Sequence, residues 1–143
     1  MDVVVRTGCV SFNDTTHRCP VTGLLPVHIA VANGLRDVYD FITDGVPAEF
    51  RADPTLLSVN GRLASLDLFG CNPLQIAAKL GRKTIFKHVL RKNTSVMWKW
   101  GPVTQYLVDL QGIDSAGAGH ADVMEIVAGI ESGEEQSAFL LDE

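Results

Sequence analysis

Two stretches decide how this chain folds. The first is Gly23-Leu24-Leu25-Pro26-Val27-His28-Ile29-Ala30-Val31-Ala32-Asn33-Gly34, and the second is Gly70-Cys71-Asn72-Pro73-Leu74-Gln75-Ile76-Ala77-Ala78-Lys79-Leu80-Gly81. Both place a proline where the first turn of a helix tolerates it. Small residues follow (Ala30 in one copy, Ala77 and Ala78 in the other) and let neighbouring helices approach closely. Each copy then breaks at a glycine, Gly34 or Gly81, the residue that enters a left-handed conformation without steric cost. A second amphipathic helix follows each break, Arg36 to Thr43 and Lys83 to Arg91. Its apolar face is expected to carry Val38, Phe41 and Ile42 in the first copy, and Ile85, Phe86, Val89 and Leu90 in the second.

This turn, short helix, glycine and second helix form the grammar of an ankyrin repeat. Pro26, His28, Gly34, Pro73 and Gly81 are the turn and helix-break positions of that grammar. His28 is expected to bond backbone groups of an adjacent turn. A metal ligand or a catalytic base is the competing reading, and the repeat position argues against both. The two prolines, like the two glycines, are 47 residues apart. An ordinary ankyrin period is about 33 residues. The extra residues fall between Asp44 and Leu68, either as a long irregular finger loop or as a decayed repeat. Within them, Asp53-Pro54 reads as a cap and first helical residue, with Leu56-Leu57 in one short helix before Asn60-Gly61.

The remaining chain reads differently. Residues 1 to 21 form an irregular N-terminal segment. After Asn93, Val96-Met97-Trp98-Lys99-Trp100 alternates as a strand does, Gly101-Pro102 punctuates it, and Val103 to Leu110 is a second β-rich run. A hairpin within residues 95 to 110 is the expectation. A helix is expected from about Ala121 to Ile130. The fold class is therefore mainly α: an ankyrin-repeat helical stack over residues 22 to 93, with an inserted loop at about 44 to 69. A small β-hairpin and a terminal helix occupy residues 94 to 143.

Composition is compatible with this. The chain has 143 residues, 46% hydrophobic and 20% charged, which suits one packed domain. Its net charge of −5 makes no case for nucleic acid. The distribution is uneven: residues 1 to 78 sum to −3, residues 79 to 99 to +7, and residues 100 to 143 to −9. A basic strip beside an acidic stretch can pair within the chain or between subunits, or each can simply be a solvated face. No apolar run approaches the ~20 residues of a membrane-spanning helix. Met1 to Arg6 lacks the form of a secretory signal. Three cysteines (Cys9, Cys19, Cys71) leave one unpaired in any disulfide scheme, which favours free thiols in a reducing compartment.

Residues 70 to 143 resemble the last cytosolic ankyrin repeats and following linker of vanilloid-type transient receptor potential cation channels. The residues that carry the resemblance begin with Asn72 to Gly81 and Ile85 to Leu90. Trp100-Gly101-Pro102-Val103, Leu107-Val108-Asp109-Leu110, Ile113-Asp114-Ser115 and Val123-Met124-Glu125-Ile126 follow in that order. The repeats alone are unspecific, and the ordered series after them is much more specific. The resemblance implies a hairpin linker that packs on the ankyrin surface of the next subunit of a tetramer, below a cation pore that often passes calcium. It makes Trp98, Trp100, Gly101, Pro102, Tyr106, Asp109 and Asp114 the linker residues. It implies the cytosolic face of a cell membrane, no cofactor, and no pore in this chain. Two clear repeats stand where the family has six. The chain stops at Leu141-Asp142-Glu143, about where the family approaches its first membrane helix, so the native architecture is expected to continue.

Weaker signals accompany these. Cys9, His17 and Cys19 lack a fourth zinc ligand at motif spacing. Asn13-Asp14-Thr15 and Asn93-Thr94-Ser95 match a glycosylation pattern that a cytosolic domain would leave unused. Trp98, Trp100 and Tyr106 beside Lys99 suit base stacking, but strand alternation and acidic surroundings favour a packed hairpin. No catalytic constellation is present, so the chain reads as a non-enzyme. A free-standing ankyrin adaptor that binds a protein partner is the alternative to a channel segment.

Overall fold

The structure is a computed structural model that describes residues 11–59, 61–63, 66–110, 113 and 123–128. The chain divides into two compact units, Met1–Pro73 and Leu74–Glu143.

In the first unit, helix α1 spans Pro26–Ala32, with Pro26 at its first turn and Leu25 at its N-cap. Val27, His28, Ala30, Val31 and Ala32 are buried. Gly34, at φ +68°, turns the chain into α2, Arg36–Asp40. This helix continues as a π-helical turn over Phe41–Gly45. Thr43 Oγ1 donates to the carbonyls of Tyr39 at 2.8 Å and Asp40 at 3.4 Å. Such back-bonding competes for carbonyls that an α-helix would use, and it accompanies the widened turn.

The buried face of α2 is not the expected one. Tyr39 and Ile42 are buried, whereas Val38 is 45% exposed and Phe41 38% exposed. Apolar residues occur on both sides of this helix, so periodicity alone did not select the inner face. The large Tyr39 side chain took it. Burial and the nearby charges of Asp44 and Asp40 push the Tyr39 phenol well above its usual range.

The inserted residues are fastened to this unit. A 3-10 turn covers Ala48–Phe50, and the Ala52 amide donates to the Ile42 carbonyl. Asn13 reaches the same segment, donating from Nδ2 to the Arg51 carbonyl and accepting from the Asp53 amide. The short helix expected after Asp53 is a turn instead. Asp53 Oδ1 accepts from both the amide and the hydroxyl of Thr55, which closes a local turn rather than capping a helix. Strands β1 (Arg62–Leu63) and β2 (Leu66–Asp67) then form a two-stranded antiparallel ribbon. Buried Ser58 ties the far end of the insert together. Its hydroxyl donates to the Leu68 carbonyl and accepts from the Cys71 amide, and its own amide donates to the Cys71 carbonyl.

Helix α3 spans Pro73–Lys79, its first residue being the last of the first unit, and α4 of the second unit spans Lys83–Lys92. Ile85, Phe86 and Val89 are buried, while Leu90 is only half-buried. Lys87, Arg91 and Lys92 lie on the exposed face. Arg91 and Lys92 sit in the last turn, where cations complement the helix dipole. Strands β3 (Thr94–Trp100) and β4 (Val103–Val108) make an antiparallel hairpin, as the change in periodicity at Asn93 predicts. Thr94 Oγ1 donates to the Leu90 carbonyl at 2.7 Å and so joins the first strand to the end of α4. Helix α5, Val123–Ala128, follows, with Val123 and Ile126 buried.

The two helix pairs share one backbone pattern. The Leu35 amide donates to Ala30, the Gly34 amide to Val31 and the Tyr39 amide to Leu35. The bonds Arg82 to Ala77, Gly81 to Ala78 and Phe86 to Arg82 repeat these, each 47 residues on. Gly23 and Gly70, also 47 apart, have φ of +69° and +70°.

Candidate interaction surface

The hairpin is held by its ends and its turn. Trp100 pairs with Val103 across the two-residue turn Gly101-Pro102. Gly101 has φ +56°. The Pro102 ring fixes a negative φ, so only the first turn residue is left-handed, which is the type II′ arrangement suited to strand twist. A Cβ at Gly101 would meet nothing within 4 Å, so glycine is required there by conformation rather than by space.

The ladder is irregular. Trp98 pairs with Gln105, Lys99 with Thr104 and Trp100 with Val103. Below Met97 the register shifts by one, and Val96 pairs with Tyr106, Ser95 with Leu107 and Thr94 with Val108. Met97 is therefore the extra residue of a β-bulge. Residues directly opposite one another share a face of the sheet. Trp98, Trp100, Val103 and Leu107 consequently share one face. Val96, Lys99, Tyr106 and Val108 share the other.

Both faces are open. Trp100 is 78% exposed, Trp98 48% and Tyr106 58%. Val96, Met97, Val103 and Leu107 are each at least half exposed. Polar ladder groups and an apolar surface on both sides suit contact with another macromolecule far better than chemistry. The structure thus brings Trp98, Trp100, Gly101 and Pro102 together at the hairpin tip and places Tyr106 on the opposite face. Asp109 follows β4 on an exposed stretch, and Asp114 lies outside the described residues.

The repeat positions sit elsewhere. Pro26 and Pro73 open α1 and α3, and Gly34 and Gly81 turn the chain at +68° and +64°. His28 is fully buried, with Nε2 donating to the Leu56 carbonyl at 2.7 Å. Its partner lies 28 residues away, which no local pattern indicates. Burial holds the His28 imidazole below its usual value, and the Arg18 charge adds to this while the Leu56 bond opposes it.

Other polar clusters do not converge on a site. The Asp14 carboxylate accepts from the Thr16 amide and hydroxyl, which hold it below its usual range, and it lies 3.3 Å from His17 Nδ1. Hydrogen bonds from the Thr22 side chain and from the Thr22 and Val21 amides lower the Cys19 thiol. Cys9 lies outside the described residues. Among the described residues, no three His, Cys, Asp or Glu side chains gather as a metal site. No helix among them is long and apolar enough to cross a membrane.

No protein-family model matches the chain. Curated relatives do. Rat "Transient receptor potential cation channel subfamily V member 6" is 38% identical over 68 residues, which cover 43% of this chain and 9% of that protein. Mouse "Transient receptor potential cation channel subfamily V member 5" is also 38% identical over 68 residues, with the same two shares. Human "Transient receptor potential cation channel subfamily V member 4" is 29% identical over 110 residues, which cover 69% of this chain and 12% of that protein. The chain therefore spans only a small part of the length of the curated relatives it matches.

Proposed function

We propose that this chain, a relative of the vanilloid-type transient receptor potential channels, is the cytosolic ankyrin and linker portion of a cation channel. In this reading it serves subunit assembly and regulation and contains no pore. The observation that carries the proposal is the hairpin: aromatic side chains stand exposed on a two-stranded sheet that directly follows a helix pair. Aromatics of this kind supply large contact area where proteins meet. The neighbouring subunit of a homotetramer is the proposed partner.

The two helix pairs are the repeats of an ankyrin stack in this account. The equal hydrogen-bond pattern at the two glycine breaks supports it. So does the pairing of buried His28 and Gln75 at equivalent places, 0% and 5% exposed. A stacked array presents its faces to partners and rarely performs chemistry. Calcium as the permeant ion and a place at the inner face of a cell membrane are carried over from the same relationship.

A direct test is to follow the reading frame in its genome. The proposal expects it to continue past Glu143 into apolar stretches of ~20 residues. A natural stop codon directly after Glu143, in every transcript, would favour a free-standing ankyrin adaptor instead.

A further inference from the structure

His28 lies on α1 with none of its surface exposed. Its Nε2 faces the Leu56 carbonyl at 2.7 Å. A carbonyl only accepts, so Nε2 carries the hydrogen and Nδ1 is a bare acceptor in the neutral ring. Nδ1 is buried and has no hydrogen-bond partner among the described residues. The N-cap of α1, one turn earlier, is Leu25, itself buried, whose side chain has no hydrogen-bonding group to offer.

Leu56 belongs to the inserted segment, between the Asp53–Thr55 turn and the Ser58 hydrogen-bond cluster. The His28 bond therefore joins the inner helix to the insert. Arg18 is the charged group that acts on the ring. It is itself tied down, with Nε donating to the Thr15 carbonyl and Nη1 to the Val59 carbonyl. Among the described residues no carboxylate acts on His28 to compensate a positive charge. A proton on Nδ1 would thus create a charge and a donor in a buried site with no acceptor among the described residues.

We propose that His28 is an acid-sensitive latch: neutral, it fastens the segment around Leu56 to α1; protonated, it keeps its Nε2–H donor, but the uncompensated buried charge draws water into the site and so frees that segment. The sign follows from burial. The native state favours the neutral ring, so stability is complete above the ordinary imidazole value of about 6.5 and declines as pH falls below it. The latch does not depend on the channel reading, because it needs only this chain.

The test compares the 143-residue chain with His28→Gln. Glutamine already occupies the equivalent buried place, Gln75, and a glutamine amide can donate to a carbonyl without titrating. Nitrogen-15 spectra of the imidazole should show the Nε2–H tautomer at pH 7.5 and a titration midpoint below about 6.5. From pH 7.5 to 5.5 the unfolding constant of the natural chain should rise by up to about tenfold more than that of His28→Gln. A midpoint at or above 6.5, or equal rises in both proteins, would overturn the latch. Should His28→Gln fail to fold, the natural chain decides alone. The Ser58 and Gly70 amide signals should then follow the His28 titration, and signals that stay flat through it would overturn the proposal.

Discussion

Val96 lies opposite Tyr106 in the hairpin, one residue short of the Leu107 partner that an unbroken ladder from Trp100 and Val103 would give it. The bulge at Met97 makes the difference. It moves Val96 off the tryptophan face and adds it to the apolar surface that carries Tyr106 and Val108. Both faces of the hairpin therefore expose apolar side chains.

Energetic coupling should reveal these faces. Trp98 and Trp100 share a face two residues apart, whereas Tyr106 points the other way. In double-mutant cycles on assembly, Trp98→Ala and Trp100→Ala should couple by about 0.5 kcal/mol or more, and Trp100→Ala with Tyr106→Ala should add within about 0.5 kcal/mol. Subunit association measured by analytical ultracentrifugation supplies the numbers. Strong coupling of Tyr106 to Trp100 would place all three on one surface and contradict the register.

Gly101 tests the turn. Its positive φ costs an L-residue about 1–2 kcal/mol, and open space around it means that sterics add nothing. Gly101→Ala should therefore loosen the hairpin by roughly that amount, while Gly101→Asn should cost less. Hydrogen exchange of the β3 and β4 amides reads the effect. Unchanged protection in Gly101→Ala would mean that another turn geometry serves equally well.

Gly61 tests the packing of the insert. A Cβ built there would lie 2.5 Å from Leu24 Cδ2, and Leu24 is itself fully buried. Gly61→Ala should destabilise the first unit by about 1–3 kcal/mol through overpacking. Urea denaturation gives the value. Adding Leu24→Ala, which removes the obstructing methyl, should recover part of the Gly61→Ala loss relative to Leu24→Ala alone. Simple additivity of the two would show that the clash is not the cause.

The isolated chain should also be marginally stable. Repeat units bury their apolar faces on neighbours, and at least about three are normally needed. Read as two such units, the helix pairs should give an early, shallow denaturation transition. A cooperative melt far above the mesophile range of about 45–65 °C would count against the repeat account.

The helix breaks were legible because their causes are local. Gly34 and Gly81 sit after short runs that only glycine ends in this way, and the proline starts are equally short-range. The hairpin was legible from the loss of helical periodicity after Asn93. The bulge was not, because it depends on how Val96 and Tyr106 meet across the sheet rather than on either strand alone. Tyr39 was missed because Val38, Phe41 and Ile42 formed a plausible stripe, and tertiary packing chose the other side of α2. The Asp53 cap signal was real but was spent on a turn with Thr55. His28 stood out in the sequence, yet its partner Leu56 lies too far along the chain to be read from it.

The hairpin is proposed to join subunits of a cation channel. The most direct measurement places this segment in the full-length protein, replaces Trp100 with Ala, and measures tetramer formation and cation current separately. Fewer tetramers and a matching loss of current are expected. Normal tetramers carrying normal current would contradict that role and leave the adaptor reading ahead.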